Sequence, residues 1–281
     1  MAQVDLHLHT TASDGCLSPS DLVALLAKQD LKVAAITDHD STEGLKEAYS
    51  AKAGFSDLTI IPGIELSADV PGDEVHVLGY FIRYEDLQLQ HILSNLREGR
   101  KIRAKQMVHK LAEFNINIEW ARVQELAGDG AVGRPHIAHA MVEKGYIAEP
   151  QEAFTTYLGR NGLAYVERER LSPEDCVRLI LKYGGVPVLA HPTYIKNPEV
   201  IIERLKRVGL IGMEVYYAKY SAEEIQELID TAQRHNLLPC GGSDYHAFGT
   251  VGEPLPGSMG PPLETVATLE KLALKNRAFK S

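Results

Sequence analysis

Histidines and carboxylates recur in this chain in short, widely separated groups: His7-Leu8-His9, Asp14, Asp38-His39-Asp40, Glu65, His76, His191 and Asp244-Tyr245-His246. Imidazole nitrogens and carboxylate oxygens without thiolates are the donor set of manganese, iron or zinc rather than of calcium or magnesium alone. A single His-x-His would suit a hydrogen-bonded core or surface pair at least as well. Six histidines at or just beyond the ends of predicted strands, with acids at the same ends, do not fit that reading. Buried charges of one sign are costly unless cations neutralise them. Side chains two apart on a strand share a face, so His7 and His9 project into one space. Such a cluster supports hydrolysis: a divalent ion lowers the pKa of its bound water to about 7, and a metal-bound hydroxide then needs no protein nucleophile.

The elements that must position these groups read as alternating strands and helices. Val4–Leu8 is a predicted strand, and Ser18-Pro19 caps and opens a helix through Lys28. Val33–Thr37, Leu58–Ile64 and Glu74–Phe81 are further β-branched, apolar runs, with a helix over Glu43–Ala53 between the first two. From Asp86 to Phe114 the pattern becomes helical, and helices near 119–127 and 134–144 follow with no clear strand before Tyr165. We read 84–165 as a helical insertion, or cap, interrupting a barrel formed by 1–83 and 166–281. Alternation resumes with helix 172–183, strand 186–190, helix 198–208, strand 212–216, helix 222–235 and strand 237–241. An irregular Gly- and Pro-rich loop, 252–262, precedes a last helix over 263–275. The simplest architecture is α/β, a parallel sheet closed or nearly closed into a barrel.

With 281 residues the chain is long enough for two domains or one large barrel carrying an insertion. Hydrophobic residues at 44% and charged residues at 24% are ordinary globular values. No apolar run is long enough to cross a membrane and Met1 leads directly into the first strand, so a cytoplasmic location is expected. Cys16, Cys176 and Cys240 are too few and too scattered for a disulfide framework or thiolate site, and read as reduced and structural. A net charge of −9 argues against a sequence-independent grip on duplex DNA, but not against a phosphorylated substrate held through cations.

In order and spacing, His7-Leu8-His9, Thr37-Asp38-His39, Gly63-Ile64-Glu65, Ala190-His191-Pro192 and Ser243-Asp244-Tyr245-His246 resemble the motifs of the PHP (polymerase and histidinol phosphatase) family. The resemblance implies a distorted (β/α)7, TIM-like barrel with two or three divalent ions at its mouth, manganese first and iron or zinc next. Carried over, it implies that His7, His9, Glu65 and Asp244 hold one ion and that Glu65 bridges to a second held by His76 and His191. Asp14, His39 and His246 would hold the third, while Asp38 and Asp40 would orient imidazoles by hydrogen bonds. Gly133-Arg134-Pro135-His136 and Tyr157-Leu158-Gly159-Arg160 resemble cap motifs of the subgroup that dephosphorylates nucleoside 3′,5′-bisphosphates and trims short RNA from its 5′ end. Arg134, Arg160 and His136 are the substrate-binding candidates this implies, with a nucleotide or short oligonucleotide as partner. A histidinol phosphatase, a 5′-3′ exonuclease and a non-catalytic PHP module are the competing readings.

Outside these motifs, Arg97, Arg100, Lys101, Arg103, Lys105 and Lys110 cover most of a helix circumference and read as a solvated face. Glu214 is expected to support the site without ligating. Tyr216 and Tyr217 either stack a base or end a strand. His91, His109, His139 and His235 read as structural.

Overall fold

Among the described residues, seven strands form a single sheet in which spatial order follows chain order: β1 (Val4–Leu8), β2 (Val33–Ile36), β3 (Thr59–Val70), β4 (Asp73–Tyr80), β5 (Val186–Leu189), β6 (Gly212–Tyr217) and β7 (Leu238–Gly242). The computed structural model describes residues 2–70, 73–128, 130–167 and 171–278. β1 meets β7 at its end, where His9 N–H donates to the Tyr245 carbonyl (3.0 Å) and Asp244 N–H to the His7 carbonyl (2.9 Å), so the sheet curls into a nearly closed barrel. α1 (Pro19–Lys28) and α2 (Leu45–Lys52) cover its outside between the first three strands. The Ser18 hydroxyl caps α1 by accepting from Asp21 N–H at 3.0 Å, as the Ser-Pro pair predicts.

The sheet is not all parallel. β3 runs past the expected Ile64 to Val70 and pairs antiparallel with β4, from Gly63↔Tyr80 to Val70↔Asp73, and β4 is also antiparallel to β5. The physical reason is the connection: only Pro71-Gly72 separates paired Val70 from Asp73, and two residues can join only antiparallel strands. β4 therefore starts at the mouth and runs away from it. His76, expected near a strand's C-terminal end, lies in the first half of β4 opposite Ser67, and the reversal is what keeps it at the mouth.

Between β4 and β5 come α3 (Leu87–Ala112), α4 (Trp120–Ala127), α5 (Arg134–Glu143), the short α6 (Pro150–Ala153) with a π-turn over Phe154–Leu158, and α7 (Pro173–Lys182). Met107, Leu111, Val123, Ile137, Met141 and Leu158 belong to a core of this region's own, whereas Leu89 and Leu93 in the first half of α3 pack into the core of the barrel. α8 (Pro198–Lys206), α9 (Ala222–His235) and α10 (Leu263–Ala278) complete the chain. Leu269 and Ala273 of α10 join Val4, Val33, Tyr80 and Val186 in one cluster, so this helix seals the barrel end opposite the mouth. Cys176 and Cys240 are buried in these cores.

Closure of the barrel is tight where β7 meets β1. Asp5 is fully buried and its carboxylate accepts from the backbone N–H groups of His7, Ser243 and Gly257, at 3.2, 3.0 and 2.8 Å. A side chain at Gly242 would collide with the Asp5 carboxylate and the His7 amide. Gly242→Ala should lower the unfolding free energy in urea by about 1–3 kcal/mol, the range for an overpacked core. An unchanged midpoint would show that this seam yields.

Candidate metal centre

Glu65 is the hub of the barrel mouth. Its Oε2 lies 3.2 Å from His7 Nε2, 3.3 Å from His9 Nε2 and 3.2 Å from His39 Nδ1, while its Oε1 lies 2.8 Å from His76 Nδ1 and 3.1 Å from His191 Nε2. Asp244 Oδ1 faces the same ring nitrogens of His7 and His9, at 3.3 and 3.2 Å. Asp14 lies beyond them, 3.5 Å from His246 and 3.8 Å from both His9 and His39. All nine residues singled out in the sequence as donors thus converge, from β1, the loops after β1, β2, β5 and β7, and the β3–β4 hairpin. Two backbones adopt a conformation unusual for side-chain-bearing residues to bring them there: His191 at φ +28° and Asp244 at φ +55°.

Donors this crowded need a cation. Burial alone would raise the carboxyls, yet His39, His7 and His76 hold Glu65 well below the usual range, and the neighbouring imidazoles do the same for Asp14 and Asp244. Burial opposes a charged His9, but Asp244 and Glu65 push it up to about 10, and Glu65 and Glu74 push His76 up to about 9. His39 is driven down to about 3, chiefly by burial. His9 Nε2, His39 Nδ1 and Asp14 Oδ1 are buried with no hydrogen-bond partner. The 3.2–3.3 Å separations exceed the roughly 2.7–2.9 Å of a charged hydrogen bond and match neighbouring ligands on a shared ion with bonds of about 2.0–2.2 Å. Three groups of donors lie close enough to hold an ion: His9, Asp14, His39 and His246; His7, His9 and Glu65; and His39, Glu65 and His76. The residues present fit bound divalent metal.

The supporting contacts differ in part from expectation. Glu214, fully buried on β6, takes His7 Nδ1–H at 3.0 Å and the backbone N–H of His191 at 2.8 Å. One carboxylate thus sets the His7 tautomer, turning Nε2 toward the cluster, and pins the strained His191. Asp38 does not touch an imidazole: it accepts from Thr10 N–H (2.8 Å), the Thr10 hydroxyl (2.8 Å) and the Ser13 hydroxyl (2.6 Å), and Ser13 Oγ lies 3.5 Å from His9 Nδ1. Asp40 does not orient an imidazole either. It is fully buried, accepting from Ser67 N–H at 3.0 Å and from Arg100 Nε at 2.6 Å. The Tyr217 hydroxyl donates to Asp244 Oδ2 at 2.8 Å. Glu253, which no motif marks, gathers the backbone N–H groups of His246, Phe248 and Gly249 and so shapes the loop carrying His246.

Next to the cluster lies a cavity of about 240 Å³, lined by the donors Asp14, His39, His76 and His246 and by Arg100, Arg103 and Arg134. α3 does not present the solvated face expected of it. Lys101 and Lys105 are exposed, but the arginines three apart turn inward: Arg97 bonds the loop after β2, Arg100 pairs with Asp40, and Arg103 is 7% exposed with its Nε on the Val166 carbonyl (2.7 Å) and its guanidinium over Tyr165. Lys110 Nζ also turns in, to the Tyr165 carbonyl at 2.9 Å. The signal was present as an i, i+3 stripe of arginine alone. Arg134 pairs with Glu74 at 2.8 Å and lies over Phe154, while the other oxygen of Glu74 is 3.3 Å from His76 Nε2. Arg160 and His136 do not line this cavity. Arg160 binds the carbonyls of Val70 and Asp73 at the hairpin end, and His136 Nδ1 accepts from Gly133 N–H at 3.0 Å, capping α5. His139, expected to be structural, does line it, beside Phe248.

A barrel with nitrogen and oxygen donors at its mouth and an arginine-walled cavity above them defines a metal-dependent phosphoesterase. The PHP domain model matches residues 5–146, and the chain belongs to the PHP family. It is 33% identical over 262 residues, 90% of each chain, to the 3′,5′-nucleoside bisphosphate phosphatase of Chromobacterium violaceum. It is 34% identical to the 5′-3′ exoribonuclease Rnm of Escherichia coli, over 86% of this chain and 84% of the other. A solved structure from Bifidobacterium adolescentis, described as a candidate metal-dependent phosphoesterase, superposes with a TM-score of 0.87 at 29% identity, covering 96% of both chains. Among the described residues, no helix is long and apolar enough to cross a membrane.

Because Glu214 fixes groups on two sides of the cluster, Glu214→Gln, which keeps the size but loses one acceptor and the charge, should weaken metal binding about tenfold or more. Chelator competition on folded protein reads this. Wild-type affinity in the variant would remove Glu214 from the role.

Proposed function

We propose that this hydrolase removes the 3′-phosphate of nucleoside 3′,5′-bisphosphates. The observation that carries the reading is the cavity itself, lined both by the donors Asp14, His39, His76 and His246 and by Arg134, which reaches His76 through Glu74. A substrate with two phosphates can place one at the donors and one at the arginine. Kinship with the Chromobacterium phosphatase supports the same reading.

In this proposal His7, His9, Glu65 and Asp244 hold one ion, Glu65 with His76 and His191 a second, and Asp14, His39 and His246 a third; manganese suits the donors, with iron or zinc as alternatives. Bound ions would supply water activated near neutral pH and neutralise phosphoryl charge. The chain's own part is positioning. Arg134 grips the 5′-phosphate, its fork matching phosphate geometry, and thereby sets the 3′-phosphate against the cluster. Phe154 and Phe248 give the cavity apolar surface for the nucleoside. We assign residues 84–165 the role of a cap that selects substrate. The retention of every donor position supports catalysis over a regulatory module.

A second reading, 5′-3′ exonuclease action on short RNA, is favoured by the Escherichia coli relative and by the chemistry. In both substrates the same bond breaks: water adds to phosphorus, the P–O3′ bond cleaves and the 3′ oxygen takes a proton. The two differ only in whether the phosphate carries a second nucleoside.

Two outcomes follow. Arg134→Ala should raise KM for adenosine 3′,5′-bisphosphate about tenfold or more while changing KM for p-nitrophenyl phosphate little; equal shifts would remove the arginine from phosphate binding. Chelation should abolish phosphate release from the bisphosphate and manganese should restore it; full activity after exhaustive chelation would exclude the metal-dependent mechanism.

A further inference from the structure

Outside the arginine-walled cavity, on the other flank of the donor cluster, stands an aromatic ring that the fold does not use. Tyr194 ends the 3-10 turn Pro192–Tyr194 after β5 and is 57% exposed. Its ring centroid is 5.6 Å from His191 and 6.0 Å from Tyr217. Tyr217 and Tyr220, both buried, lie 4.8 Å apart behind it. The Tyr217 hydroxyl donates to Asp244, and the Tyr217 and Tyr220 rings pack edge-on against Tyr194, leaving a backed, solvent-facing ring next to His191. Lys219, exposed on the same rim, lies 5.8 Å from the Tyr217 ring.

We propose that Tyr194 is the stacking platform for the base of a second nucleoside, the one esterified to the scissile phosphate on the side away from the cavity. The inference rests on the proposed placement of the first nucleotide in the cavity. With the 5′-phosphate and first nucleoside there, the scissile phosphate lies at the cluster, and its remaining ester oxygen leads past His191 to Tyr194. A bisphosphate leaves the platform empty; a 5′-phosphorylated dinucleotide fills it. Base stacking on an exposed aromatic ring tolerates any base, which suits trimming without sequence preference, and Lys219 offers a cation to the next phosphate. Hydrolysis of the P–O3′ bond leaves that phosphate on the second nucleoside as a new 5′-phosphate, so the product is itself a substrate of the same form.

The test compares wild type, Tyr194→Leu and Tyr194→Phe, manganese-loaded, on adenosine 3′,5′-bisphosphate and the 5′-phosphorylated diadenylate pApA. Loss of stacking should raise KM for pApA about tenfold in the Leu variant, at least fivefold more than for the bisphosphate, with the Phe variant near wild type. Equal effects on both substrates, or a Phe variant as impaired as Leu, would overturn the platform. Calorimetric binding of a diadenylate whose scissile 3′ oxygen is replaced by methylene separates this from the function itself. If wild type cleaves neither nucleotide yet binds the analogue about tenfold tighter than the Leu variant, the substrate reading fails and the platform stands. If the two bind the analogue equally, the platform fails whatever the turnover.

Discussion

Three carboxylates, buried Asp14 and Glu65 and half-buried Asp244, share one small volume with six imidazoles, and the rest of the structure is arranged around the cost of keeping them there. In a low-dielectric interior, acids this close are tolerable only beside positive charge. Protonated imidazoles can supply it, but then several nitrogens meet carboxylates at distances too long for good hydrogen bonds. Divalent ions answer both problems at once. That electrostatic demand links the fold to the chemistry: a site built to need cations is also one that can neutralise a phosphate.

Meeting the demand requires an exact meeting of distant segments, and the β3–β4 hairpin achieves much of it. By extending β3 and reversing β4, the chain places Glu65 and His76 on adjacent strands in the interior of the mouth, where both Glu65 oxygens can face imidazoles from the other strands. An all-parallel barrel would have carried His76 on a loop. Glu214 on β6 and Asp5 on β1 itself then act as braces, one fixing the side chain of His7 and the other its backbone.

The helices inserted after β4 extend the charge network rather than merely covering it. Arg100 reaches the buried Asp40, and Arg134 reaches His76 through Glu74. The cavity therefore carries guanidinium groups and metal-ligating side chains in one lining, so an anion entering it can meet directional donors beside the donor cluster.

Much of the donor set could be read from residue order alone. His7 and His9 share a face because strand geometry is local, and the acids at neighbouring strand ends mark a cation site because buried like charges are costly wherever the chain goes. Helix caps such as Ser18 and the inserted helical run are equally local. What could not be read was anything set by partners far apart in sequence. Asp40 turned from the imidazoles to Arg100, His136 and Arg160 turned from the cavity to backbone groups, and the arginine stripe of α3 turned inward, each because a buried polar group takes whichever partner the fold brings within reach. The amino-acid order thus determined which chemistry this protein carries, through residue types and local periodicity; the tertiary structure alone decided which side chains meet, since hydrogen bonds and ion pairs act over a few ångströms between segments that the chain separates by as many as 252 residues.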